Sequence, residues 1–181
     1  MLVTAPYRRD RAVEYAKTWA LARNPLFENF AGIGGDCTNF VSQAVYAGSC
    51  VMNYTETFGW YYRSPTNRAP AWSGVEFFYN FFTSNESVGP YAAEAEREEV
   101  ELGDVIQLAD ETGDYYHTLI ITGFDGEEIL VSAHSNDSLD RPLSTYDYET
   151  ARFLHIEGVR IRIPDRYVPN CFVGLINGRR I

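Results

Sequence analysis

One cysteine of this sequence stands where a protein could use it as a nucleophile. Cys37 follows Gly34, Gly35 and Asp36, and apolar residues then recur every three or four positions until Gly48. This pattern predicts a short buried helix with Asp36 as its N-cap. The sulfur would then lie beside unpaired backbone N–H groups and the positive end of the helix dipole, which favour a thiolate. The competing interpretation is a small apolar residue that begins a core helix.

A thiol nucleophile needs a base, and the sequence holds three histidines. His117 opens an apolar strand directly after a polar stretch, so its ring is expected at a strand end, where it could serve a helix-terminal thiol. His134 lies toward the end of the partner strand, and antiparallel pairing would return it to the level of His117. His155 lies in a segment without a clear site signal and is interpreted as structural or exposed.

These residues predict a catalytic set with separate roles. His117 would take the proton of Cys37, and a polar group on the next strand would accept a hydrogen bond from the far ring nitrogen. His134 is the first choice for this third residue, and Asn136 and Asp137 are the alternatives. The backbone N–H of Cys37, in the turn that Asp36 opens, would supply one half of an oxyanion hole.

The elements that must position these residues fall into two groups. Apolar residues at helical spacing predict a first helix over residues 8–23, which ends before Pro25, and another helix over residues 72–82. After residue 100 the pattern changes to strands, expected at 104–108, 117–122, 128–134 and 159–163. A turn at 124–127 would join the second and third strands as a hairpin. Helices followed by strands predict an α+β fold in one domain over 1–181, with the helices on one face of an antiparallel sheet.

Two further segments have simpler interpretations. Residues 52–70 form a long loop or short hairpin that is rich in aromatic side chains. A loop of this kind is interpreted as the wall of a groove beside the site, with aromatic core packing as the alternative. The acidic run at 94–101 is interpreted as solvated surface.

Composition and charge limit the partners of the protein. With 181 residues, 45% of them hydrophobic, the chain can bury a core without staples. A net charge of −10 with 15 Lys and Arg argues against binding to nucleic acid. No run approaches eighteen apolar residues and residues 1–6 lack signal-peptide features, so a soluble chain without a membrane span is expected. If the sequence is a piece of a longer protein, an extracellular or cell-envelope location stays open.

The remaining cysteines are expected to be structural. Cys37, Cys50 and Cys171 have no metal-ligand spacing, so we expect no metal and no other cofactor. Cys50 and Cys171 have no obvious base nearby and are interpreted as independent thiols.

Three motifs together resemble a known family. They are DCTNFVSQ at 36–43, GDV at 103–105 and HTLI at 117–120. They are similar to the putative amidase domain within the NlpC/P60 superfamily of papain-like cysteine hydrolases, and the resemblance covers most of the chain, from about residue 7 to beyond His134. It implies a papain-like α+β fold, a Cys37–His117 dyad completed by a third polar residue, and cleavage of an amide or peptide bond. In such relatives the substrate is often a cell-wall peptide, which makes a peptidoglycan-derived substrate the expectation here.

The sequence therefore predicts a metal-independent cysteine amidase or peptidase that acts through an acyl-thioester intermediate. Two alternatives stay open. An acyltransferase on the same fold would resolve the intermediate with an amine instead of water. A non-catalytic module would use the aromatic groove to hold a peptide or glycan. The presence of both Cys37 and His117 favours an enzyme over the binding module.

Overall fold

In the described part of the chain, a seven-stranded antiparallel sheet forms the centre of the fold, and helices pack against one of its faces. The computed structural model describes residues 1–163 and 170–180. In chain order the elements are β1 (Leu2–Ala5), α1 (Arg9–Trp19), α2 (Asp36–Ser49), β2 (Tyr62–Ser64), β3 (Asn67–Arg68), α3 (Pro70–Ser73), α4 (Val75–Ser84), β4 (Gly89–Ala95), β5 (Val105–Ala109), β6 (Tyr115–Asp125), β7 (Glu128–Ala133), β8 (Ser138–Pro142), β9 (Thr150–Arg162) and α5 (Cys171–Ile176). The predicted α+β class with an antiparallel sheet is confirmed.

The order of strands places β6 under the helices. The main sheet runs β1-β9-β5-β6-β7-β8, and β4 also pairs with β9. Strands β2 and β3 form a separate small hairpin. Helices α1, α2 and α4 all contact β6, so the three helices pack against this central strand.

Both faces of the central strands are buried, which explains their nearly continuous apolar sequence. Val105 and Ile120 face the helices and join the larger core. Ile106 and Leu119 face the other way and join a second apolar cluster that Leu143 covers. Because side chains alternate along a strand, neighbouring residues of β5 and β6 belong to different cores.

Helix α2 is buried on nearly all sides. All its residues except Tyr46 are buried, and the polar ones have partners inside the protein. The Tyr15 hydroxyl donates to Gln43 Oε1 across 2.7 Å, and Trp60 Nε1 donates to Ser42 Oγ across 3.0 Å. These bonds offset the cost of burying polar groups and fix the rotation of the helix about its axis.

Both ends of α2 are held by special backbone conformations. Gly35, the N-cap, has φ of +93°, and a Cβ there would lie 2.7 Å from the Ser73 carbonyl oxygen, so only glycine fits. Cys50, the C-cap, also has positive φ and forms a disulfide with Cys171 at the start of α5. The interpretation of Cys50 and Cys171 as independent thiols is therefore wrong. Their separation of 121 residues left no local signal of the pairing.

The predicted elements exist, with changed boundaries. The first helix ends at Trp19, and the helix predicted over 72–82 is divided by Gly74 into α3 and α4. The predicted hairpin turn is confirmed by the pairing of Asp125 with Glu128. Strands β1, β4 and β8 were missed, and the last predicted strand begins at Thr150 instead of residue 159. None of the described helices is both long and apolar enough to cross a bilayer.

The aromatic loop at 52–70 contributes mainly to the core. Trp60 and Tyr61 are buried, and the Trp60 ring lies 5.0 Å from that of Trp72. Tyr54 and Phe58 are exposed. Core packing, the alternative interpretation, therefore describes the buried half of this loop.

Candidate active site

Cys37 lies in the first turn of α2 and is buried. It is the free cysteine of the chain, since the other two form the disulfide. Its sulfur lies 3.8 Å from the hydroxyl oxygen of Thr38. The expectation that Asp36 is the N-cap is corrected by one residue, because Gly35 occupies that position and Asp36 is the first helical residue.

Asp36 is instead the centre of a buried polar cluster. Its carboxylate accepts hydrogen bonds from the Phe30 N–H at 3.0 Å, from Asn39 Nδ2 at 3.1 Å and from His134 Nδ1 at 3.0 Å. Arg23 Nε lies 3.3 Å from the same carboxylate. Burial raises the pKa of Asp36, but the hydrogen bonds from His134, Asn39 and Phe30 outweigh it and hold that pKa below its ordinary value.

His134 is buried beside the start of α2. Its ring stacks on Phe40 with the centroids 4.1 Å apart. Because the Asp36 carboxylate accepts, Nδ1 carries the proton in that bond. Nε2 lies 3.0 Å from the Trp19 carbonyl oxygen and 3.2 Å from Arg23 Nη1. One partner accepts and the other donates, so the protonation of Nε2 decides which bond forms.

The two alternative third residues lie in the turn after β7. Asp137 accepts two hydrogen bonds from the Arg23 guanidinium in a bidentate pair, at 2.8 and 2.9 Å. This pair holds the pKa of Asp137 below its ordinary value. Asn136 has positive φ, and its backbone carbonyl oxygen accepts a hydrogen bond from Ser138 Oγ. Asp137 therefore joins the Asp36 cluster through Arg23, a residue to which sequence reasoning gave no role at the site.

His117 lies on the face of the sheet that is turned away from α2. It pairs directly with Leu108, which belongs to the second apolar cluster, and its ring lies 5.9 Å from that of Tyr146. Burial lowers the pKa of His117 to about 4, with a smaller contribution from the charge of Arg141. The residue of β6 that faces α2 at this level is Thr118, whose hydroxyl lies 2.8 Å from that of Thr38.

The expected contacts of His117 with Cys37 and with His134 are therefore not formed. Within residues 1–163 and 170–180, no hydrogen bond joins His117 to either residue. The reason is strand alternation. Ser132 pairs with Ile120 on the helix side, and His134, two residues further, points the same way. His117 pairs with Leu108 and therefore belongs to the opposite face.

A second aspartate–histidine pair lies near the start of α1. Asp104, in the GDV motif, accepts from His155 Nδ1 at 2.7 Å and from Arg9 Nη1 at 2.6 Å. The backbone N–H groups of Glu101 and Ile156 also donate to its carboxylate. Asp104 thus ties α1 to strands β5 and β9, which gives this motif a structural role.

Comparison with known proteins identifies the family. The family model described as "Putative amidase domain" matches residues 6–156. The chain belongs to this family. It is 34% identical over 150 residues to the uncharacterized protein YhbB of Bacillus subtilis (strain 168), covering 80% of this chain and 46% of that protein. It is 29% identical over 144 residues to the uncharacterized protein YjcM of the same organism, covering 75% of this chain and 32% of that protein.

The chain thus spans less than half the length of each of these curated relatives. No solved structure is significantly similar to it. The motif DCTNFVSQ, which carries Cys37, and the segment that carries His134 both lie inside the matched region.

Proposed function

We propose that the protein hydrolyses an amide or peptide bond with Cys37 as its nucleophile. The family supports an amidase, and the chemistry of the site supports the choice of nucleophile. The observation that carries the proposal is the position of Cys37, a free thiol in the first turn of a buried helix, beside the Asp36–His134 pair. Backbone N–H groups in the first turn of a helix have no partner in the helix, so the N–H of Cys37 can donate to an oxyanion.

Helical geometry places the sulfur on the sheet side of α2. Thr38 contacts Thr118 on β6, and Phe40 stacks on His134. Cys37 lies three positions before Phe40, so the two residues share one side of the helix. The sulfur is therefore directed between the positions of Thr118 and His134.

His134 is the better candidate for the base, because it lies on the same side of the sheet as Cys37 and His117 does not. The Asp36 carboxylate holds its Nδ1 proton, as the third member of a catalytic triad would. A neutral His134 with its proton on Nδ1 can only accept at Nε2, where Arg23 Nη1 is a donor 3.2 Å away, so the ring must exchange that contact for Cys37 when substrate binds. His117, the base first expected from the sequence, remains the alternative, with Asn136 and Asp137 as alternative orienting groups.

The reaction follows from these roles. His134 takes the Cys37 proton, and the thiolate attacks the carbonyl carbon to form a tetrahedral oxyanion. The imidazolium then protonates the leaving amine as the C–N bond breaks, which leaves an acyl thioester. Water, deprotonated by the imidazole, attacks the thioester carbonyl and releases the acid and the free thiol. On this reading the fold is a papain-like one of the NlpC/P60 type, and a cell-wall peptide is the substrate to test first.

The test is hydrolysis of a panel of cell-wall peptides and of glutamine- and asparagine-type amides. The wild-type protein is compared with the Cys37→Ser variant, which is expected to lose turnover while keeping its fold. Equal activity of the two proteins would end the proposal. Release of an amine-coupled product in place of the acid would identify an acyltransferase.

A non-catalytic peptide- or glycan-binding module is the second candidate. One observation favours it: in the described part of the chain, the hydrogen bond of the Cys37 sulfur goes to Thr38 and not to a histidine. Binding of a panel peptide without turnover, and with equal affinity in Cys37→Ser, would support this candidate.

A further inference from the structure

A row of polar side chains crosses the helix side of the sheet and ends at Cys37. Arg152 of β9, Gln107 of β5 and Thr118 of β6 are neighbours in adjacent strands. Arg152 Nε and Nη2 lie 2.8 and 2.6 Å from Gln107 Oε1, and Gln107 Nε2 lies 3.3 Å from Thr118 Oγ1. Thr118 Oγ1 lies 2.8 Å from Thr38 Oγ1, which lies 3.8 Å from the Cys37 sulfur.

The direction of these hydrogen bonds is fixed at the Arg152 end. A guanidinium can only donate, so the Gln107 oxygen must face it and the amide NH₂ must face away. The NH₂ group also donates to the Val75 carbonyl across 2.9 Å, which requires the same orientation. Arg152 is itself held between the rings of Tyr79 and Tyr115, each 3.7 Å from its guanidinium carbon.

The direction then passes from one hydroxyl to the next. Thr118 Oγ1 accepts from Gln107, so its own proton is free to donate to Thr38 Oγ1. If Thr118 donates in this contact, Thr38 accepts, and the side-chain neighbour then left for the Thr38 proton among the described residues is the Cys37 sulfur. Gln107, Thr118 and Thr38 are all fully buried, where hydrogen bonds to a charge are strong and few waters compete.

We propose that Thr38, Thr118 and Gln107 are positioning residues that pass hydrogen bonds to Cys37 and favour its thiolate. The proposal deepens the function proposed above, because it concerns the same nucleophile. The relay begins at Arg152, whose guanidinium is also paired with Glu76 Oε1 at 3.0 Å, so its effect on Cys37 is to direct a hydroxyl proton at the sulfur. That donor stabilises negative charge on the sulfur and disfavours the neutral thiol, whose proton would have to compete with the Thr38 hydroxyl. The same side chains with no preferred direction would fill the core equally well and would leave the thiolate unaffected.

The test is the titration of the thiolate ultraviolet absorbance, taken as the difference between each protein and its Cys37→Ser counterpart. Thr118→Val removes one hydroxyl of the relay and should move the titration midpoint to higher pH by about half a unit, a threefold fall in thiolate fraction. Thr38→Val removes the last donor and should move it by about one unit. Thr118→Ser, which keeps the hydroxyl, should restore the wild-type midpoint.

Thr122→Val is the matched control. Thr122 is a buried threonine on the same side of β6, and its hydroxyl bonds Ser132 and Asp140 outside the relay. Its titration should equal that of the wild type. Wild-type midpoints in both Thr118→Val and Thr38→Val, checked as folded by circular dichroism, would overturn the proposal. An equal shift in Thr122→Val would also overturn it, because any lost hydroxyl on β6 would then have the same effect.

Turnover measured on the same proteins separates this proposal from the proposed function. If the titration midpoint of Cys37 depends on Thr118 but the protein shows no turnover, the proposed hydrolase function is contradicted and the hydrogen-bond relay is supported. If the protein is active but its Cys37 titration midpoint is the same in the Thr118 and Thr38 variants as in the wild type, the relay is contradicted and the hydrolase function is supported.

Discussion

His134 Nδ1 lies 3.0 Å from the carboxylate of Asp36, the residue directly before Cys37. This bond joins the end of β7 to the first turn of α2 inside the core. It also places one histidine on the side of the sheet that Cys37 faces, while His117 lies on the other side. Replacing His134 and replacing His117 are therefore expected to have opposite effects on activity.

Replacing His134 should remove activity, and replacing His117 should not. His134→Gln is expected to lower kcat/KM about 100-fold or more, because it removes the proposed general base. His117→Gln should change kcat/KM by no more than a few-fold, provided that the variant is folded. The measurement is steady-state hydrolysis of whichever panel substrate the wild type cleaves. The reverse order of effects would return the base to His117.

Asp36→Asn should destabilise the protein strongly. The change leaves the buried His134 and the partly exposed Arg23 without their shared carboxylate, and about 3 kcal/mol of unfolding free energy should be lost. The Asp36 pKa is lowered on folding, so its stabilisation is present above its ordinary pKa and is lost as pH falls through the lower folded value. Thermal and urea unfolding across acid pH measure both effects.

Asp10→Asn is the control for that change. Asp10 also pairs with an arginine, Arg8, but the pair is exposed, so its loss should cost less than about 1 kcal/mol. Similar losses in the two variants would show that the buried cluster adds little to stability.

His117 should make stability depend on pH in mildly acid solution. Its pKa is lowered to about 4 in the folded protein, while the unfolded chain takes up the proton near its ordinary value of 6.5. Stability should therefore fall as pH drops from about 6.5 to about 4, by on the order of 2 kcal/mol. His117→Phe, which cannot titrate, should flatten this part of the curve. A slope that survives the substitution would assign the effect to another group.

The disulfide should stabilise the fold without being part of the site. Closing a loop of about 100 residues is worth roughly 4 to 5 kcal/mol in the chain-entropy model. The double variant Cys50→Ala, Cys171→Ala should therefore melt at a lower temperature and keep its hydrolysis rate within a few-fold at temperatures where it is folded. Thiol counting checks the pairing: the unfolded, unreduced chain should react at Cys37 alone, and the reduced chain at all three cysteines.

The class of fold and the place of Cys37 could be predicted because they depend on local patterns. Helical spacing after Gly35 and alternation in the later strands each follow from neighbouring residues. The face to which His117 points could not be predicted, because a strand buried on both sides has apolar residues at every position and one step exchanges its faces. The disulfide between Cys50 and Cys171 and the hydrogen bond between Asp36 and His134 likewise join residues far apart in the sequence, and residue spacing does not predict such contacts.

Helix α2 carries a reduced sulfur near one end and a cystine at the other. At about 1.5 Å of rise per residue, Cys37 and Cys50 are held roughly 20 Å apart along a rigid rod. Thiol–disulfide exchange requires direct contact between the attacking thiolate and a disulfide sulfur. The folded chain therefore keeps its own bridge out of reach of Cys37, so a thiolate activated for attack on a substrate cannot scramble the cross-link of the same molecule.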